Sequence, residues 1–225
     1  MCGRFSQTAA PEIITNQFEV KEPLPLFKPR YNIAPSQSIA AIRIDPDTAT
    51  RKLVMLRWGL IPSWAKDAKI GNQCINAKAE TVAEKPSFRS AFKKRRCLVI
   101  ADGFYEWQRQ GAHKQPMWIG LRSKQPFAFA GLWEHWKPAE GEPLETCTII
   151  TTKPNDLMAS IHNRMPVILA PSSYDQWLDQ TFQQTETLKA LLRPYPSEEL
   201  TAFPVSTLVN NPRHDAPQFL EPVTV

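Results

Sequence analysis

Glycine is scarce in this sequence, with eight in 225 residues, and no segment carries the GxGxxG or P-loop pattern of a phosphate-cradling turn. GxSxG and HExxH are missing too, which sets aside the nucleophile-elbow hydrolases and the zinc peptidases built on that helix motif. Apolar runs fall short of the roughly 18 residues of a membrane-spanning helix. The N-terminal MCGRFSQTAAP lacks the apolar stretch of a secretory signal. A cytoplasmic protein with no membrane partner is therefore expected. The four cysteines, at positions 2, 74, 97 and 147, have neither CxxC nor other zinc-ligand spacing, so reduced thiols and no metal are expected. No cofactor is expected either.

Prolines number 21 and are scattered rather than gathered into a tract, which favours ordered, stiffened loops. The chain reads as one domain over 1–225, with no repeat, low-complexity segment or linker. A net charge of +5 and a pI near 9.1 are compatible with a polyanionic partner but do not single one out. Alternating and β-branched runs predict strands over 39–44, 52–58, 97–101, 116–121, 127–134, 146–152 and 166–169. Turn residues in DPDTATR and the polar tip QRQGAHKQ predict antiparallel hairpins. Apolar periodicity predicts helices over 10–18, 171–178 and 185–192, with Ser172 and Ser173 available as caps for the second. The fold class is α+β, with a curved, mainly antiparallel sheet core and peripheral helices.

Cys74, Cys97 and Cys147 lie in strand-like surroundings and read as small buried hydrophobes. Cys2 differs because loss of Met1 would make it a 1,2-aminothiol. An α-amine with a pKa of about 7.7 to 8.0 is roughly a quarter neutral near pH 7.4, against about 0.1% for a lysine, so it is the better amine nucleophile. It can condense with an aldehyde, and its thiol can then close onto the imine to form a thiazolidine. The plain alternative is an unstructured chain start. In INAKAET, an extended conformation puts Asn76, Lys78 and Glu80 on one face, which a wetted edge strand explains equally well. Glu106 ends the buried run before it among Phe104, Tyr105 and Trp107, where desolvation raises a carboxyl's proton affinity and suits acid–base work, although a structural arginine could also hold it. His162 stands in a loop before a strand, where a structural role is at least as well supported.

Taken together, MCGRF, RYNIAPSQ, RWGLIPSW, INAKAET, ADGFYEW, IHNRMPVIL and FPVSTLVNN, in that order from residue 2 past residue 210, resemble the SRAP family of SOS-response-associated peptidases. The resemblance implies a protein that crosslinks itself to abasic sites in single-stranded DNA, in association with the replication fork and as a monomer. It implies Cys2 as nucleophile, Asn76 holding the sugar, Glu106 positioning the amine and moving protons, and His162 assisting imine formation or reversal. DNA contacts carry over to Arg4, Pro35, Trp64, Lys78 and Arg164. Lys78 stands where the family usually has arginine, and it offers a point charge in place of a guanidinium fork. Two other readings remain. One is a cysteine peptidase using the Cys2 thiol with His162 and Asn76 or Glu106. The other is a reversible DNA-binding module using a basic surface that includes Lys93, Lys94, Arg95 and Arg96.

Overall fold

The computed structural model describes residues 2–21 and 28–224. Its strands are β1 (Phe5–Gln7), β2 (Arg30–Ile33), β3 (Ser38–Ile44), β4 (Arg51–Trp58), β5 (Asn76–Lys78), β6 (Arg96–Ala101) and β7 (Gly103–Gln110). They continue with β8 (His113–Leu121), β9 (Phe127–Trp136), β10 (Leu144–Thr152), β11 (Met165–Pro166), β12 (Ile168–Leu169) and β13 (Leu200–Pro204). Five α-helices lie among them: α1 (Pro11–Phe18), α2 (Arg89–Lys94), α3 (Asp156–Ala159), α4 (Tyr174–Leu178) and α5 (Thr185–Ala190).

The expected curvature goes as far as closure. Pairings run β4–β3–β6–β9–β10 and return from β10 to β4 through a parallel contact, Thr146 with Arg57 and Cys147 with Trp58. The other pairings of this ring are antiparallel. A second sheet, in the order β13–β8–β7–β1–β2, is antiparallel throughout. Ile39, Ala41, Val99 and Phe129 face Phe5 and Phe104 of the second sheet, whereas Ala40, Ile42, Leu98 and Ala130 face the helices. The period-two alternation of a strand thus feeds two cores at once.

Both hairpins form, β3–β4 across residues 45–50 and β7–β8 across Gly111 and Ala112. The run over 166–169 splits into two strands. Val167 donates to the Ile150 carbonyl at 2.9 Å and accepts from the Ala130 amide at 2.9 Å, so the chain crosses from β10 to β9 within one residue. The helix expected over 171–178 opens with a 3-10 turn, Pro171–Ser173, and no serine hydroxyl caps α4.

The basic run at residues 93–96 is not one surface. Arg96 is fully buried and donates to the carbonyls of Phe92 (2.8 Å), Lys93 (2.7 Å), Trp177 (2.6 Å) and Phe182 (2.9 Å), and also to Asp179. Arg95 pairs with Glu134 at 2.7 Å. A guanidinium spreads its charge over five donors, and here they gather the loose ends of α2 and α4.

Candidate active site

The N-terminal segment is held as a sheet strand, not as a loose end. Phe5 is fully buried, edge-on to Trp58 (5.3 Å between centroids) and to Phe129 (5.9 Å). Burial of a phenylalanine contributes about 1.5–3 kcal/mol, enough to fix a three-residue strand. Antiparallel pairing places Phe5 opposite Phe104, and the Tyr105 amide donates to the Arg4 carbonyl at 2.9 Å. The same register carries the chain back toward Glu106. Cys2 is fully buried there.

Arg4 secures this end from the other side. Its Nη1 donates to Asn32 Oδ1 and to the Val209 carbonyl, both at 2.7 Å, and the guanidinium lies 5.8 Å from the Trp107 ring centre. Asn32 in turn donates to the carbonyls of Val209, Asn211 and His214. The guanidinium expected on phosphate therefore joins the first strand to the FPVSTLVNN segment.

Glu106 is buried on β7, and burial raises its pKa above the usual carboxylate range, opposed by the positive amino terminus and by His162. Burial raises the Cys2 thiol as well, and the Glu106 charge adds to it, against the amino terminus and the Arg4 amide. His162 Nε2 lies 3.9 Å from Glu106 Oε2. Asn155 caps α3 by accepting from the Met158 amide at 2.9 Å, and the His162 amide donates to the Met158 carbonyl at 2.8 Å. Gln108 donates to the Ser160 carbonyl at 3.0 Å, holding that turn against β7.

Asn76 opens β5, which runs parallel to the end of β10 with Asn76 opposite Ile149 and Lys78 opposite Thr151. Thr151 is also opposite Pro166 of β11, so β10 carries the INAKAET and IHNRMP segments on its two edges. Asn76 Nδ2 donates to the Ile75 carbonyl at 3.0 Å, and its Oδ1 is buried without a hydrogen-bond partner. A buried, unpaired amide oxygen is costly and suits a donor brought by a ligand. Only Asn76 and Lys78 of the expected trio are in the strand; Glu80 follows in a turn, where both its oxygens accept from Arg164.

A cleft of about 460 Å³ is lined by Glu106, Trp107, Lys114, His162 and Asn210. Trp107 Nε1 donates to Asn210 Oδ1 at 2.7 Å. Sequence reasoning missed Trp107, Lys114 and Asn210 as cleft residues. The hairpin tip QRQGAHKQ could have revealed Lys114, because two-residue closure puts it opposite Arg109, three pairs from Glu106. Trp64 is 59% exposed beside a second hollow that also includes Lys66, Lys69 and Gln73. Gly59, at φ +128° and with its Cβ position 2.8 Å from the Gly71 carbonyl, fixes the departure of that loop from β4. Pro35 is half-buried in the turn between β2 and β3, and Lys78 is exposed. Among the described residues, no three His, Cys, Asp or Glu side chains gather as metal ligands, and no helix is long and apolar enough to cross a membrane.

The family model for SOS response associated peptidases (SRAP) matches residues 1–212. The chain is similar to the abasic site processing protein YoqW of Bacillus subtilis (strain 168), at 49% identity over 98% of this chain and 99% of that one. It is also similar to the abasic site processing protein HMCES of Xenopus tropicalis, at 34% identity over 97% of this chain and 77% of that one. A crystal structure of a protein from Bacteroides thetaiotaomicron superposes with a TM-score of 0.89 at 27% identity, covering 99% of this chain and all of that one.

Proposed function

The chain belongs to the SOS response associated peptidase family, and from that premise we propose that it processes abasic sites in single-stranded DNA by covalent capture through Cys2, once Met1 has been removed. The observation that carries this reading is the burial of Cys2 beside Glu106, with His162 Nε2 3.9 Å from the same carboxylate.

The ring-opened abasic sugar presents an aldehyde at C1′. The Cys2 amine adds to it, and loss of one water gives an imine. Glu106, with its raised proton affinity, takes a proton from the attacking amine and returns it to the departing hydroxyl. His162 Nε2, 3.9 Å from that carboxylate, serves the same transfers in formation and in reversal. The thiol then adds to the imine carbon and its proton passes to nitrogen, closing a five-membered thiazolidine. The unpaired Asn76 Oδ1 accepts from a sugar hydroxyl. Trp64, exposed and flanked by lysines, supports an unstacked base, and Lys78 meets a phosphate. Capture protects the strand, because an open imine acidifies C2′ and leads to β-elimination.

Burial, which raises the Cys2 thiol, weighs against a peptidase that depends on a standing thiolate. It does not impede the proposed order, in which the amine reacts first. The test incubates mature protein with a single strand carrying one abasic site, followed by denaturing electrophoresis and intact mass. A heat-stable adduct weighing protein plus DNA less one water is expected, absent with undamaged DNA and with Cys2→Ala. Cys2→Ser should be trapped by borohydride and should nick the strand more than the wild type. No adduct from verified mature protein, with turnover of unrelated peptides, would transfer the assignment to the peptidase reading.

A further inference from the structure

Arg164 is the cation near the cleft most committed within the protein. Its Nη1 donates to Glu80 Oε1 at 2.6 Å, and its Nη2 donates to Glu80 Oε2 at 2.9 Å and to the Thr151 carbonyl at 2.7 Å. Nε is buried without a partner. Of the five N–H groups of a guanidinium, these contacts leave the buried one on Nε and one on Nη1, and only the latter is open to a phosphate. So planar a grip fixes the backbone to which the side chain is attached.

That backbone holds His162. The Arg164 amide donates to His162 Nδ1 at 3.1 Å, and the Arg164 carbonyl lies 3.2 Å from the same nitrogen. If Nδ1 accepts from the amide, the ring proton resides on Nε2, which then acts as a donor. A proton on Nδ1, donated to the carbonyl, would instead face the amide N–H that already points at that nitrogen. The Arg164 backbone therefore favours the tautomer with its proton on Nε2 and keeps Nε2 directed at Glu106, 3.9 Å away.

We propose that Glu80 is a positioning residue for His162: with the Thr151 carbonyl it clamps Arg164, and the clamped Arg164 backbone seats the imidazole so that Nε2 can give or take a proton beside Glu106. This rests on the covalent-capture reading for its consequence, not for its geometry. Glu80 touches neither the cleft lining nor the reacting atoms. Its side chain is about half exposed, so replacing it leaves no buried cavity. Among the described residues, the charged groups that share the imidazole's surroundings are Glu106 from β7, Lys114 from β8 and Arg164 on its own segment.

The test compares Glu80→Ala and the shape-conserving Glu80→Gln with the wild type, first without DNA. Ring ¹⁵N NMR of His162, assigned by its loss in His162→Gln, reports the tautomer. In the wild type Nδ1 and Nε2 should have well-separated shifts, and in Glu80→Ala they should converge toward an exchange average while the thermal midpoint changes little. Crosslinking to an abasic single strand should slow roughly tenfold or more, with Glu80→Gln intermediate. Affinity for an undamaged strand should hold or rise, since Arg164 is released. Unchanged His162 shifts, or a change in strand affinity with no change in crosslinking rate, would overturn the proposal and leave Glu80 as a tuner of Arg164 alone. If the wild type itself formed no adduct, capture would fail while the NMR comparison still decided whether Glu80 seats the ring.

Discussion

Replacing Arg4 with methionine separates two roles that predict opposite results. Methionine has comparable reach and no charge, so the change deletes two hydrogen bonds of 2.7 Å, to Asn32 Oδ1 and the Val209 carbonyl, and a weak contact with Trp107. Hydrogen bonds from a charged donor contribute roughly 1.5–3 kcal/mol each. The half-buried guanidinium is itself penalised by desolvation, which lowers its pKa, and the thioether recovers some apolar contact. A net loss of about 2–4 kcal/mol follows. For a chain of this size each kcal/mol moves the thermal midpoint by about 2–4 °C, so the drop should be on the order of 4–16 °C. Urea unfolding without DNA measures the first quantity. Binding of an undamaged single strand across a salt series measures the second, because each lost phosphate contact reduces the slope of log K against log salt by about 0.7. We expect a destabilised protein with an unchanged slope. A stable variant with a shallower slope would refute this account and return Arg4 to the DNA.

Arg96→Met should cost about 3–5 kcal/mol in chemical denaturation, because it strands the carbonyls that Arg96 gathers in the interior. Glu106→Gln should slow crosslinking by about 10²- to 10⁴-fold while stabilising the fold at neutral pH. The sign follows from the raised carboxyl: between its ordinary value of 4.5 and its folded value the native state binds the extra proton, so wild-type stability falls as pH rises through that window. The variant's advantage should vanish below the ordinary value, as paired unfolding curves at acid and neutral pH would reveal. Trp64→Ala should leave the thermal midpoint nearly unchanged and weaken single-strand binding by roughly 1–3 kcal/mol, read by fluorescence anisotropy. Gly103→Ala should unfold readily in urea, since its added Cβ would lie 2.3 Å from the Trp118 ring.

The long strands were legible because β3, β4, β6, β9 and β10 combine β-branched or apolar runs with turns at their ends. β5 was legible as a wetted edge strand in INAKAET, but the short strands β1 and β2 were not read as strands, being too short to display periodicity and polar in part. Their places were marked only by motif resemblance. Cys2 emerged from the chemistry of an aminothiol, whereas Asn76, Glu106 and His162 were marked as candidates by alternation, aromatic surroundings and loop position, and their roles came from resemblance. The Glu80–Arg164 pair spans 84 positions, and no local pattern announces a contact of that kind. Arg96 misled for the opposite reason: in KKRR it looks solvated, but strand alternation turns it inward, where carbonyls of α2 and of the chain around α4 are waiting.

The contact between Arg4 and Val209 also sets an order in time. Its partners are separated by 205 positions, so the strand that follows Cys2 is anchored by a carbonyl made long after it. An aminopeptidase can act on Met1 while the segment is still loose, and the fold closes around Cys2 afterwards. Chains cut short before Val209 would then carry a trimmed aminothiol with no finished cleft around it, and under the proposed function a reactive terminus would become a selective one only once Val209 has been made.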